Sequence, residues 1–350
     1  MSASYMPAEW EPHRATWLAW PSHAELWADD LEPARVEFVA FCRGIVAATE
    51  AREARSNEED RERLEVLVLD EAGEREARRR LSELPVRFHR VPFGDIWLRD
   101  TAPIFVRGDS GALAAVTFTF NGWGEKYLLD GDPEVAAHVA RIVGYPQHGV
   151  DVVLEGGALE VDGEGTCITT RQCVLNPNRN PKLTETDVER VLYTAIGARH
   201  VIWLDQGLAN DHTDGHVDTL ARFVAPGIVV CMEANDADDP NRRVLRDIRA
   251  ALEDACDARG RALEVVSIPS PGPIVGHDGR PMPASYLNYY VSNTACLVPT
   301  YGSAYDEEAV ATLSRYFPGR ATLGLSARAI LTGGGAFHCI TQQEPAGVES

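Results

Sequence analysis

The chain has 350 residues, 45% of them hydrophobic and 8% aromatic, with 53 acidic side chains against 33 basic ones for a formal charge of -20. The apolar content is too high for a disordered chain, and the length allows either one large domain or two ordinary ones. The acidic balance argues against a nucleic-acid or anionic-membrane partner; most of it fits a solubilising surface, and it also concentrates a cationic small molecule.

The opening stretch from Met6 to Trp27 holds Trp10, Trp17, Trp20 and Trp27 among prolines and the acids Glu9 and Glu11. Such aromatics read as core or pocket wall. Residues 1–23 lack the basic start and uninterrupted apolar core of a signal peptide, and no run reaches membrane-spanning length. Seven cysteines without a CxxC pair argue against a disulfide framework or a cysteine-rich zinc site, so a reducing cytoplasm is the expected location.

Apolar residues at helical spacing predict a helix over 31–50, followed by a buried strand over 64–69 (LEVLVL). The same order returns four times: helix 132–143 before strand 151–154, 184–196 before 200–204, 240–259 before 263–268, and 307–316 before 321–325. Further strands are expected at 104–106, 116–120, 166–170, 220–224, 228–232 and 295–298. Five helix-strand modules with added strands predict a closed, pseudo-repeated α/β architecture rather than an open doubly wound sheet. No glycine-rich phosphate loop opens any helix. The charge run 55–61 and the Pro/Gly-rich stretch 269–283 are linker candidates, but the modules continue across both. The second is long enough for an active-site lid, with an inert surface loop as the default.

Four polar islands punctuate this pattern. Asp95-Ile96-Trp97-Leu98-Arg99-Asp100 sets two carboxylates about an indole just before a strand, a grip for a planar cation or an ion-paired turn. Glu155 leaves a strand into Gly156-Gly157. In Asp211-His212-Thr213-Asp214-Gly215-His216-Val217-Asp218, a strand starting at Gly215 would put His216 and Asp218 on one face. That pair suits a base with its orienter or a cation grip, and it suits a metal if His212 or Glu155 supplied a third ligand. Last, Gly333-Gly334-Gly335 leads through Ala336-Phe337-His338 to Cys339, where a backbone free of Cβ atoms can turn sharply and present a thiol. One thiol, one histidine and three carboxylates suit attack on a cationic carbon better than attack on an amide, because a guanidinium has five N–H donors and no acceptor.

Together the islands resemble the agmatine deiminase family of the guanidine-modifying pentein superfamily, which also holds bacterial peptidylarginine deiminase. The resemblance extends from Met6-Pro7-Ala8-Glu9-Trp10-Glu11-Pro12 to Ile340-Thr341-Gln342-Gln343-Glu344-Pro345. Between them lie Phe120-Asn121-Gly122-Trp123-Gly124, LNPNRNP at 175–181 and ASYLNYY at 284–290. It implies a five-bladed α/β propeller forming a single deiminase domain over 1–350. It implies Cys339 as nucleophile and His216 as general acid/base, with Asp100 and Asp218 gripping the guanidinium. Glu155 would hold the histidine or a further nitrogen, and Trp97 would line the pocket. It further implies no cofactor or metal, a small cationic guanidino substrate, and a place in putrescine formation from agmatine; homo-oligomerisation stays open.

Two positions depart from the family pattern. His212 stands where an acid would meet the distal amine of agmatine, so Asp211 or Asp214 would take over tail recognition. Ala336-Phe337 replace an asparagine and an isoleucine before the final His-Cys pair. The expected reaction is deimination of agmatine, and the nearest alternative is free or peptidyl arginine, whose carboxylate or amide would call for an Arg at the pocket mouth such as Arg179 or Arg222. A metal-dependent amidinohydrolase and a silent binding protein remain as readings from other classes.

Overall fold

One unit recurs around the molecule: two antiparallel strands, the second of which pairs in parallel, across a helix, with a third. In the computed structural model, which describes residues 4–53 and 62–347, the units start at Ile104–Gly108, Glu160–Val161, Ala221–Ala225, Tyr290–Val291 and Gln342–Pro345. Their second strands are Leu113–Thr119, Thr166–Thr170, Ile228–Glu233, Ala295–Thr300 and His13–Ala19. Helices Asp132–Val143, Glu185–Ile196, Arg242–Glu253, Asp306–Ser314 and Leu31–Glu53 lead to the parallel third strands. The result is the five-bladed α/β propeller that the resemblance implies, and it is a closed, pseudo-repeated architecture as the five modules predict. Because Gln342–Pro345 pairs with His13–Ala19, one blade is built from both ends of the chain, and this closes the ring.

Local chemistry sets the element ends. Thr184 accepts from Asp187 N while the Asp187 carboxylate accepts from Thr184 N, a capping box that starts Glu185–Ile196, and Gly197 at φ 73° ends it. The helix expected over 240–259 stops at Glu253, because the Asp257 carboxylate accepts backbone N–H groups from Arg259 and Arg261 and folds that stretch into a turn. The strand expected from Gly215 is also absent: Val217–Thr219 is a 3₁₀ turn and the strand begins at Ala221. Asp211 Oδ1 accepts from Thr213 N and Thr213 Oγ1 accepts from His216 N, which holds this segment in turns instead. The linker expected at 55–61 lies outside the described residues. Among the described residues no helix is long and apolar enough to cross a membrane.

Charge, rather than hydrocarbon, fills the middle. Glu9 is buried and accepts from Arg222 Nη2 at 2.9 Å, Arg99 Nη2 at 3.4 Å and Val291 N at 2.9 Å. Arg222 in turn donates to Glu160 at 2.7 Å and to the carbonyls of Leu287 and Tyr289. Burial opposes the charge on Glu9, yet Arg222, His338 and Arg99 hold it well below the ordinary carboxylate range. Removing one partner from such a cluster leaves the others charged and dry, which costs about 3–5 kcal/mol. Arg222→Leu is therefore expected to lower unfolding free energy by about that amount in chemical denaturation; a loss under about 1 kcal/mol would mean the cluster contributes little.

Candidate active site

Each blade sends one turn toward the same end of the axis, directly ahead of its antiparallel strand. Asp100 lies in the turn Leu98–Thr101 before Ile104–Gly108, and Glu155 precedes the turn Gly156–Ala158 before Glu160–Val161. His216 and Asp218 belong to the turn before Ala221–Ala225, Asn288 comes two residues before Tyr290–Val291, and Cys339 comes three before Gln342–Pro345. Residues scattered over more than 200 positions are thereby brought together by the pseudo-fivefold repeat.

Asn288 ties the last of these turns in place. Its Oδ1 accepts the backbone N–H groups of Ala336, His338 and Cys339 at 3.1, 3.1 and 3.2 Å. Its Nδ2 lies 3.1 Å from both Cys339 Sγ and Asp218 Oδ2. The glycine run does what the sequence suggests. Gly334 has φ 108°, and a Cβ on Gly335 would sit 2.8 Å from Trp97 and 3.0 Å from Cys339 Sγ.

The acids and the histidine converge around Gly157. A Cβ there would come within 2.5 Å of His216 Nδ1, 2.9 Å of Asp100 Oδ1 and 3.2 Å of Asp218 Oδ2. His216 is wholly enclosed, with Nδ1 3.7 Å from Asp100 Oδ1 and Nε2 3.7 Å from Glu155 Oε2. Burial disfavours its charge, but Asp100, Cys173 and Glu155 raise its pKa well above the ordinary histidine value. Burial, Asp218 and Glu155 push Asp100 up to about 6, against the pull of His216 and Trp123. Burial and the charges of Asp218 and Asp100 drive the Cys339 thiol well above its usual value. Several acceptors and donors here have no protein partner: Asp218 Oδ1 and both ring nitrogens of His216. Buried polar atoms without a protein partner are costly unless a further group meets them, and a carboxylate oxygen can accept from a donor.

A cavity of about 780 Å³ opens above this cluster, lined by Trp27, Trp97, Trp123, Tyr127, Asp100 and Cys339 among others. Trp97 is on the wall as expected, stacked on Trp27, and both indole N–H groups donate to Asp95 at 2.8 and 2.9 Å. Both acids of that island border the cavity, with Asp95 occupied in fixing the wall. Asp211 and His212 also line the cavity. Asp211 Oδ2 has no partner, whereas His212 Nδ1 meets the Tyr127 hydroxyl at 3.1 Å. The loop at 276–283 forms part of the mouth, where His277 Nε2 approaches Asp30 at 3.1 Å.

Arg179 and Arg222 are not at the mouth. Arg179 is buried, donating to both oxygens of Glu155 at 2.9 and 3.0 Å and to Asp214 at 2.6 Å, and Arg222 is enclosed at the centre. Asp214 is fully engaged by Arg179 and Lys126. The metal reading of the His216 segment fares no better. His212 faces Tyr127, and the group whose ligand atoms approach within 4.8 Å is Glu155, Cys173 and His216, where the Arg179 guanidinium already holds Glu155 and opposes a second cation.

Sequence reasoning missed Asn288, Glu9 and His338 as members of this constellation, and Trp123, which donates to Asp100 Oδ2 at 2.8 Å. A polar residue inside the aromatic run Tyr286 to Tyr290 was the available signal for Asn288. Nothing local marks Glu9, whose partners lie 90 to more than 300 residues away. The raised thiol carries an expected outcome: neutral iodoacetamide at pH 7.5 should label exposed Cys256 at least about tenfold faster than Cys339. Peptide mass spectrometry checks it, and equal rates would show that Cys339 is a thiolate at rest.

The sequence matches the Porphyromonas-type peptidyl-arginine deiminase family over residues 5–345. It is 39% identical to the agmatine deiminase of Stutzerimonas stutzeri, covering 98% of this chain and 95% of that one. Among solved structures, the agmatine deiminase of Enterococcus faecalis is similar at 31% identity and a TM-score of 0.89, covering 98% of this chain and 96% of that one. The C. jejuni agmatine deiminase with substrate bound is similar at 26% identity and a TM-score of 0.87, covering 99% and 97%. Since the match spans all five blades and every turn that feeds the cavity, the chain belongs to the Porphyromonas-type peptidyl-arginine deiminase family.

Proposed function

We propose that the chain is a cysteine-dependent deiminase that hydrolyses a guanidino group to a ureido group and ammonia, with agmatine as substrate and N-carbamoylputrescine as product. The observation that carries this reading is the placement of a thiol against a carboxylate with an oxygen to spare: Cys339 Sγ lies 3.5 Å from Asp218 Oδ2, while Asp218 Oδ1 has no partner. Family membership and the agmatine deiminases among the relatives support it. We read 1–350 as one catalytic domain, because the C-terminal strand completes the blade that the N-terminal strand begins. Seven unpaired cysteines fit a reducing cytoplasm.

A guanidinium between Asp100 and Asp218 cancels the negative field that suppresses the thiolate, so as substrate binds the Cys339 thiol gives up its proton to solvent in the cavity, and it regains one from solvent when the product leaves. The Sγ lone pair forms a bond to the guanidinium carbon. The charged His216 gives its proton to one nitrogen, and the C–N bond breaks to release ammonia. A thiouronium remains on Cys339. Neutral His216 then takes a proton from water as its oxygen bonds to that carbon. The C–S bond breaks, the thiolate leaves, and the last proton passes to ammonia. Glu155, itself fixed by Arg179, keeps His216 charged at rest. Burial raises the Glu155 pKa, but His216 and Arg179 hold it below the usual range.

Ammonia release from agmatine, free arginine and an arginine peptide, measured side by side, tests the proposal. Agmatine should be preferred, Cys339→Ser should abolish turnover, and a haloacetamidine should label Cys339. No ammonia and no label would overturn the reading. The acid limb of kcat/KM should fall as pH drops through about 6, because Asp100, pushed up to about 6, then becomes neutral and releases its hold on the cation.

Asp211 is the acid we assign to the distal amine, in place of the residue at His212. Its Oδ1 accepts from Thr213 N and Oγ1 at 2.8 and 2.6 Å, which fixes the carboxylate and leaves Oδ2 to the cavity. Asp211→Asn should raise KM for agmatine about tenfold or more with a smaller change in kcat; an unchanged KM would place amine recognition elsewhere. The arginine reading lacks a free cation at the mouth among the described residues, since Lys126 is 2.6 Å from Asp214 and Arg280 pairs with Asp278.

A further inference from the structure

The deiminase mechanism leaves unused the buried histidine next to the nucleophile, and a role for it beside the thiol rests on that reading of the site. His338 precedes Cys339, and each of its ring nitrogens faces a carboxylate: Nδ1 is 2.7 Å from Asp218 Oδ2 and Nε2 is 2.8 Å from Glu9 Oε2. Glu9 is fixed from its far side by Arg222, Arg99 and the backbone of Val291. A ring clamped at both ends cannot rotate, and each contact with a carboxylate is attractive only with a proton on the nitrogen concerned, so the two contacts together call for protons on Nδ1 and Nε2, against the burial and the Arg222 and Arg99 charges that lower the His338 pKa.

The consequence falls on Asp218. Its Oδ2 is tied by His338 Nδ1 and, at 3.1 Å, by Asn288 Nδ2, whereas Oδ1 is buried without a partner. One oxygen is anchored and the other is presented. The anchored Oδ2 is also the oxygen that faces Cys339 Sγ, at 3.5 Å, and free rotation of this carboxylate would let the two oxygens exchange places.

We propose that His338 is a positioning residue: by donating from Nδ1 to Asp218 Oδ2 it sets the orientation of that carboxylate, so that Oδ1 meets the substrate cation. The charged cluster at the centre of the molecule is the fixed frame against which His338 is set, and it transmits that frame to the reactive turn. Burial pushes the Asp218 pKa up, and the His338 hydrogen bond leads the influences that hold it below the ordinary range, ahead of the charges of His338, His216 and Arg222. The ionisable groups facing this arrangement are Glu9, Arg99 and Arg222 on the His338 side, with His216, Asp100 and Cys339 on the Asp218 side.

Two substitutions separate positioning from simple packing. An asparagine at 338 can place its amide nitrogen near the site of Nδ1, and a glutamine reaches the site of Nε2 instead. The readout is the ratio of Cys339 labelling by cationic 2-chloroacetamidine to labelling by neutral iodoacetamide, which reports the carboxylates that receive a cation and needs no turnover. His338→Gln should lower this ratio about 10- to 100-fold, the worth of a hydrogen bond to a charged group. His338→Asn should retain a ratio at least about fivefold above that of His338→Gln, and the acid limb of kcat/KM should move to higher pH only in His338→Gln.

Equal ratios in the two variants, or the reverse order, would overturn the proposal. If the wild-type protein released no ammonia from any guanidine, the deiminase reading would fall while the labelling ratio still decided the role of His338. Should neither variant fold, ring-nitrogen NMR of the wild-type protein decides: a protonated Nδ1 on His338 supports the assignment, and an unprotonated one sinks it.

Discussion

Glu9 touches the machinery of nearly every blade. Through Arg99 it reaches the turn that carries Asp100, through Val291 the strand after Asn288, and through His338 the turn of Cys339. Arg222 extends the same cluster to Glu160 in another blade. A propeller of five short sheets has no continuous sheet to hold its inner strands in register, so a charged cross-link at the centre takes that role. Its strength depends on completeness: each carboxylate is matched by guanidinium, imidazole or backbone donors, and hydrogen bonds made in a dry, low-dielectric interior are strong when satisfied and costly when broken.

The site at one end of this axis is balanced in the opposite way. Asp100, Glu155 and Asp218 stand beside a thiol with one imidazolium among them, and their negative field keeps the sulfur protonated. In the proposed reaction a cation relieves that field at the point where it forms the bond. Selectivity and activation then share one physical cause, because a neutral molecule entering the same cavity leaves the thiolate as unfavourable as before. The -20 formal charge of the whole chain acts in the same direction at longer range.

Much of the architecture is legible in one dimension. Helical and strand periodicities place all five modules, because buried second strands such as Ile228–Glu233 and Ala295–Thr300 read as apolar runs and the helices that follow carry an apolar stripe. Strands 166–170 and 200–204 match the observed bounds. Boundaries fail where side chains compete with the backbone, as at Asp257 and around Gly215. Asp100, His216, Asp218 and Cys339 announce themselves by polar residues beside glycines at strand ends, whereas Asp95, Arg179 and Arg222 look similar along the chain and prove to be partners of Trp97, Glu155 and Glu9.

The sequence by itself determined the repeated α/β architecture and supplied the candidate groups at the cavity, since both follow from local pattern: period, glycine placement and residue type. Only the tertiary structure decided which acids are free and which are already paired, because pairing depends on distances between turns from different blades. It also decided that Asp211 Oδ2 and Asp218 Oδ1 stay open, and that Asn288 and His338 stand behind the thiol and the carboxylate. A hydrogen bond has no signature along the chain when its two ends are separated by 120 or by 329 residues; folding alone brings them to 2.7 and 2.8 Å.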